Sequence, residues 1–211
     1  MRKCDRRYEN PIDNVIIDSC DYVCPLLYAL HFTPNIITTI GTIVYFLALV
    51  NLCRGNMWWF VALYVAGYWL DCLDGHYARK YHMETEFGDY FDHVRDLLLM
   101  IAISIIIFMR YNNKVPRYVM MLVSAVLGIM LVLMIMYIGC LDCIEHSETS
   151  RPHSATLSFT RSLCVTPYPE HFVSFFRYFG HATNVLVLLV MILGLEYYVR
   201  HCPCNGERCV R

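Results

Sequence analysis

Asp71-Cys72-Leu73-Asp74-Gly75-His76-Tyr77-Ala78-Arg79 and, eight residues on, Gly88-x3-Asp92-x3-Asp96 decide how this chain is read. The apolar stretch Met57–Leu70 runs straight into the first acid, so carboxylates stand where an apolar helix meets a polar boundary. Ionisable residues at the edge of a membrane helix are expensive and usually functional. On a continuing helix Asp71, Asp74, Gly75 and Ala78 fall on one face at i, i+3, i+4 and i+7, with Arg79 at its border. Gly88, Asp92 and Asp96 repeat at i, i+4 and i+8 at the head of the next helix, and residues 80–88 supply the turn that lets the two stripes face each other.

Four carboxylates in a restricted space need counter-charge, either divalent cations or raised pKa values. All-oxygen ligands favour Mg2+, Mn2+ or Ca2+ over zinc. Mg2+ usually recruits a few carboxylates together with substrate phosphates, so the cluster suggests a metal-bridged phosphate ester. Gly75, Ala78 and Gly88 let a bulky ligand approach the backbone closely. Each glycine alone reads as helix packing of the small-xxx-small kind, but beside four aligned acids the ligand is favoured.

Outward from this stretch the chain is apolar. Its 211 residues are 57% hydrophobic and 17% charged, with a mean hydropathy of +0.43, too apolar for an ordinary soluble domain. Candidate spans are 36–53, 57–70, 97–109 with a start near Gly88, 118–141, and 182–195 extending to about Val199. The expected fold class is therefore all-α, a polytopic transmembrane helical bundle of five or six spans, with five against six left open. Residues 142–181, with Pro152, Pro167 and Pro169, read as a long loop carrying a short helix over Glu170–Tyr178. The stretch from Pro11 to Leu30 reads as an N-terminal interfacial amphipathic helix or as a helix packed on the mouth of the bundle.

A single membrane-embedded domain over 1–211 follows, with an interfacial segment 1–35, a bundle 36–200 and a Cys-rich tail 201–211. Basic residues near the start, with Arg79 and Lys80 after the second span, put the carboxylate end in the cytoplasm, whereas Arg110, Lys114 and Arg117 count against that orientation. The net charge of −1 gives no pull toward nucleic acid, and no nucleic-acid partner is expected. No apolar run follows the basic N-terminus immediately, so a cleaved signal peptide is not expected. Eleven cysteines form no scaffold spacing and read mostly as small buried residues.

The pattern Asp71-x2-Asp74-Gly75-x2-Ala78-Arg79-x8-Gly88-x3-Asp92-x3-Asp96 resembles the motif of the CDP-alcohol phosphatidyltransferase family at every fixed position. Thr33-Pro34-Asn35-Ile36-Ile37-Thr38 looks more loosely like the segment these enzymes place before their first span. The resemblance implies transfer of a substituted phosphate from a CDP-linked donor, either CDP-diacylglycerol or CDP-choline/ethanolamine, to an acceptor alcohol, with release of CMP. It implies that Asp71, Asp74 and Asp92 hold Mg2+ or Mn2+, with Asp96 both joining the metal set and serving as the candidate general base. Asp74, Gly75, Ala78, Arg79 and Gly88 would line the cytidine and diphosphate site, and Asn35 would reach a phosphate. The bilayer is the remaining partner, and a homodimer is left open.

Phe91-Asp92-His93 is similar to the choline and ethanolamine phosphotransferase branch and makes His93 a candidate for proton removal. Asp74-Gly75-His76 instead resembles the phosphatidylinositol synthase branch, and a hydrogen-bonding role beside the site is the plainer reading of either histidine. Cys202-Pro203-Cys204 with Cys209 matches no strong zinc spacing. Arg161 and Arg177 read as headgroup-facing charge, with contact to an acceptor phosphate as the sharper alternative. The competing function, a membrane ion-binding or transport protein, requires acids at several depths of the bundle, whereas these cluster at one edge.

Overall fold

The computed structural model describes residues 5–148 and 169–202, and among them all regular structure is helical. Helix α1 (Pro11–Ala29) begins where the Asn10 side chain accepts the Ile12 N–H at 2.9 Å and Pro11 takes the first helical position. Helix α2 (Pro34–Arg54) starts after extended Thr33 and ends on Gly55 at φ 81°, whose N–H closes on the Asn51 and Leu52 carbonyls. That left-handed cap turns the chain at once into α3 (Met57–Lys80), making the two helices antiparallel neighbours. Helix α3 runs unbroken through Asp71–Arg79, so the stripe expected from the spacing is a helical stripe.

Helix α4 (Glu86–Tyr111) is capped by Thr85, whose hydroxyl accepts the Gly88 N–H at 3.1 Å, and it starts close to the expected Gly88. A short turn leads to α5 (Arg117–Glu148), which overruns the expected end at Leu141. After the undescribed stretch come α6 (Pro169–Phe176), a 3₁₀ turn (Arg177–Phe179) and α7 (His181–His201). The expected short helix in the long loop is thus α6 with its 3₁₀ extension.

Three stretches, 34–54, 117–141 and 171–201, are long and apolar enough to cross a membrane, and the chain is a membrane protein. Helices α3 and α4 have the length, 24 and 26 residues or about 36 and 39 Å. They miss the same standard because the motif concentrates Asp71, Asp74, Arg79 and Lys80 on one and Glu86, Asp89, Asp92, Arg95 and Asp96 on the other. Residues of α2, α3, α4, α5 and α7 share one apolar core centred on Ala48, Leu52, Phe60, Tyr111 and Ile192. Large apolar side chains such as Ile43, Phe46, Val132, Leu186 and Val190 point outward, a surface suited to lipid tails and not to water.

Gly67 shows how tightly α2 and α3 pack: a Cβ there would lie 2.8 Å from the ring of Tyr45, itself buried in the core. Gly67→Ala is expected to lower stability by about 1–3 kcal/mol through overpacking. Gly128→Ala is the control, because nothing lies within 4 Å of its Cβ position. Thermal unfolding in detergent checks the pair, and equal midpoints for the two variants contradict the packing account.

The two ends of the bundle differ. At the Gly55 end, Glu196 accepts from Arg110 at 2.9 Å, Tyr111 at 2.9 Å and Arg200 at 3.0 Å, a paired network closing α4 against α7. At the motif end α1 packs on α3 around Cys20, Cys24, Leu73 and Tyr77. Polar ties run the length of this contact: Tyr68 OH donates to Asp13, Trp69 Nε1 to Ser19 at 2.8 Å, and His76 Nε2 lies 2.8 Å from Asp21. Lys80, donating to Asp21 at 2.7 Å, holds that carboxyl down to about 2, so the tie stays charged at ordinary pH.

Candidate active site

Helices α3 and α4 bring the two acidic stripes together. Oxygens of Asp71, Asp74 and Asp92 lie within 4.8 Å of one another. A second triplet, with the same mutual limit, joins Asp71 to Asp96 and to His181 at the start of α7. Asp71 belongs to both, so the four predicted carboxylates converge and a histidine from the far end of the sequence joins them. The side chains of Asp74 and Asp71 are 6% and 15% exposed, while those of Asp92 and Asp96 are each 37% exposed. The α3 carboxylates are therefore enclosed and the α4 pair is more open to the outside.

Arg95, unremarked in the sequence, occupies the middle of this cluster. Its Nη2 lies against Asp71, 2.6 Å from Asp92 and 2.7 Å from Asp96, and its Nη1 is 3.9 Å from Asp74. Its side chain is almost wholly buried, so a single guanidinium faces four carboxylates and leaves a formal excess of three negative charges. Two acceptors stay unsatisfied: Asp74 Oδ2 and Asp92 Oδ1 are buried without a hydrogen bond, the latter close to Arg95 but misaligned with it. Buried acceptors without donors, crowded within reach of one another, fit a hard divalent cation.

Apart from Asn35 on α2, the other predicted residues stand on the same helices. Arg79 reaches back over Gly75, where a Cβ would meet its Nη1 at 3.3 Å, and its buried Nε has no acceptor. Asn35 Oδ1 stands 3.3 Å from the Cβ position of Gly88, so the start of α2 lies against the head of α4. Ala78 follows one turn after Asp74 on the same helix. His93 Nδ1 bonds the Asp89 carbonyl at 2.7 Å, one turn back on its own helix, and lies 3.4 Å from the Asp89 carboxylate. His76, buried and paired with the exposed Asp21, ties α3 to α1. Asp21, Cys24 and His76 also come within 4.8 Å of one another, but Lys80 already supplies the positive charge there.

Arg177 lines a surface groove of about 520 Å³ with Asp5, Arg6, Arg7, Pro11 and Asn14. Arg161 and Cys204 and Cys209 of the tail lie outside the described residues, while Cys202 is exposed with a free thiol.

Residues 31–195 match the family model of the CDP-alcohol phosphatidyltransferases. The chain belongs to this family. The matched region takes in the whole two-stripe cluster, Asn35 and His181, so the CDP-alcohol phosphatidyltransferase fold and the convergent site coincide. Among curated proteins it is similar to a phosphatidylinositol phosphate synthase of Cutibacterium acnes, 33% identical over 78 residues, 35% of this chain and 36% of that one. The similarity thus spans little more than a third of that relative's length. No solved structure matches the chain.

Proposed function

We propose that this protein transfers a substituted phosphate from a CDP-linked donor to an acceptor alcohol in the plane of the membrane, in a divalent-cation-dependent reaction that releases CMP. The convergence of Asp71, Asp74 and Asp92, with two buried oxygens left without donors, carries this reading. A bound cation, Mg2+ or Mn2+, would neutralise diphosphate charge and the charge developing on departing CMP. Asp71, Asp74 and Asp92 would hold it. Arg79, with a free buried N–H, pairs with phosphate oxygens; at the nucleotide site Gly75 leaves room for the Arg79 guanidinium over its helix, and Gly88 for the side chains of Thr85 and Asn35. Asn35 borders the phosphate from α2. Asp96, one of the more open α4 pair, takes the proton from the acceptor hydroxyl, with His93 beside it on α4.

In this reading α3 and α4 complete a five-span bundle with α2, α5 and α7, because they share its core and carry charge only toward their ends. Helix α1 lies along the interface, with Val15, Tyr22 and Leu26 exposed on its outer face and its inner face tied to α3. The motif end faces the cytoplasm.

The test is product identification. Purified protein receives CDP-diacylglycerol or CDP-choline/ethanolamine with a panel of alcohols that includes inositol phosphate, because the aligned relative is named for phosphatidylinositol phosphate. Mass spectrometry is expected to show a new phosphodiester lipid for one donor and acceptor pair. Folded protein that makes no such product across the panel overturns the reading.

A further inference from the structure

His181 is held with more care than a residue that merely fills space. It opens α7 directly after Gly180, whose Cβ position would be 3.0 Å from the Cβ of Asn10 and 3.1 Å from the Arg177 carbonyl. A larger residue there would have to push both back by a few tenths of an ångström. Asn10 in turn donates to the Arg177 carbonyl at 2.8 Å and to Thr183 Oγ1 at 2.9 Å, fixing the first turn of α7 to the start of α1. The His181 ring stacks on Tyr68 with centroids 5.5 Å apart and planes 6° from parallel. The Tyr68 hydroxyl donates to Asp13 on α1. Helices α1 and α3 and the 3₁₀ turn therefore fix both the position and the tilt of one imidazole.

That imidazole faces Asp71 and Asp96. A ligating nitrogen or oxygen stands about 2.1 Å from a first-row divalent ion, so two ligands of one ion are separated by at most about 4.2 Å. The candidate ligand atoms of His181, Asp71 and Asp96 all lie within 4.8 Å of one another, so a shift of about half an ångström brings them to that spacing. The adjoining triplet supplies an independent sign of a ligand: Asp74, more than nine-tenths buried, directs a carboxylate oxygen without a donor into the same pocket across the shared Asp71.

We propose that His181 is a nitrogen ligand of a cation held with Asp71 and Asp96, beside the Asp71–Asp74–Asp92 position and sharing Asp71 with it. The inference rests on the cation centre of the proposed function and adds a donor from α7 that the aspartate motif does not contain. Imidazole suits first-row transition ions better than Mg2+ or Ca2+, so of the two ions named above a nitrogen donor favours Mn2+, the transition ion, though Mn2+ is the weakest imidazole binder of its row. Ligation also fixes α7 to the motif helices, and the stack on Tyr68, itself tied to Asp13, holds the ring plane. Asp96 keeps a second carboxylate oxygen for the acceptor proton.

Pulsed electron paramagnetic resonance of Mn2+ bound to the full-length protein in detergent reads this directly. With 15N-histidine labelling, wild type is expected to show a directly coordinated imidazole nitrogen, retained in His93→Gln and lost in His181→Gln. His181→Phe keeps a ring to stack on Tyr68 and is expected to lose the nitrogen signal with folding intact. Mn2+ affinity should fall at least tenfold in both His181 variants, and Mg2+ affinity less than threefold. Mn2+ bound without a coordinated histidine nitrogen, or with a nitrogen that survives both His181 substitutions, overturns this inference and leaves the carboxylate centre standing. Wild type that binds no Mn2+ overturns both.

Discussion

Asp96→Asn is expected to lower CMP release by at least about a thousandfold while donor affinity stays within about threefold of wild type. A positioned general base contributes typically about 10²–10⁴ in rate, and asparagine keeps the shape of the side chain without its capacity to take a proton. Donor affinity should survive because Asp71, Asp74, Asp92 and Arg79 are untouched, and because the amide oxygen of asparagine can still accept from Arg95, which donates to Asp96 from Nε at 3.1 Å. Steady-state turnover and equilibrium binding of the CDP-linked donor separate the two effects. Turnover within tenfold of wild type would remove Asp96 from the proton-transfer step and shift attention to His93.

Arg95→Met tests the electrostatics of the same centre from the opposite side. The arginine is the one positive side chain within reach of all four carboxylates among the described residues, and its own side chain is only 5% exposed. Removing one partner of a buried charge cluster typically costs about 3–5 kcal/mol, because the remaining charges lose compensation. The variant in EDTA is therefore expected to unfold at a markedly lower temperature than wild type. Millimolar Mn2+ or Mg2+ should restore most of the loss, since a divalent ion supplies the missing charge, and apparent cation affinity should rise at least tenfold. Equal unfolding temperatures in EDTA, or a loss that cations do not repair, would show that Arg95 is not balancing the cluster.

Much of this site was legible because its spacing is helical. Asp71, Asp74, Gly75 and Ala78 announce one face and Gly88, Asp92 and Asp96 another, and once Gly55 and Thr85 end and start their helices the faces must meet. Arg95 carried a weaker signal: three residues after Asp92, it lies on nearly the same helical face, where it reads as an ordinary boundary charge until the fold shows four acids around it. His181 carried none. It stands 85 residues beyond Asp96, and only the return of α7 to the motif end, set by Gly180 and the Asn10 contacts, delivers it. The span count suffered from the same chemistry that makes the site, because acids placed for a diphosphate strip α3 and α4 of the uninterrupted apolar run by which a span is recognised.

The central claim is that the two-stripe carboxylate cluster works as a cation and diphosphate clamp for a transfer that expels CMP. CMP release by the purified wild-type protein, measured with its donor and acceptor while the divalent cation is stripped and returned, tests it most directly. The account predicts release that stops in EDTA, resumes on adding Mn2+ or Mg2+, and stays at background in Asp71→Asn, which breaks both triplets at once. Release that continues undiminished in EDTA, or in Asp71→Asn, would contradict it.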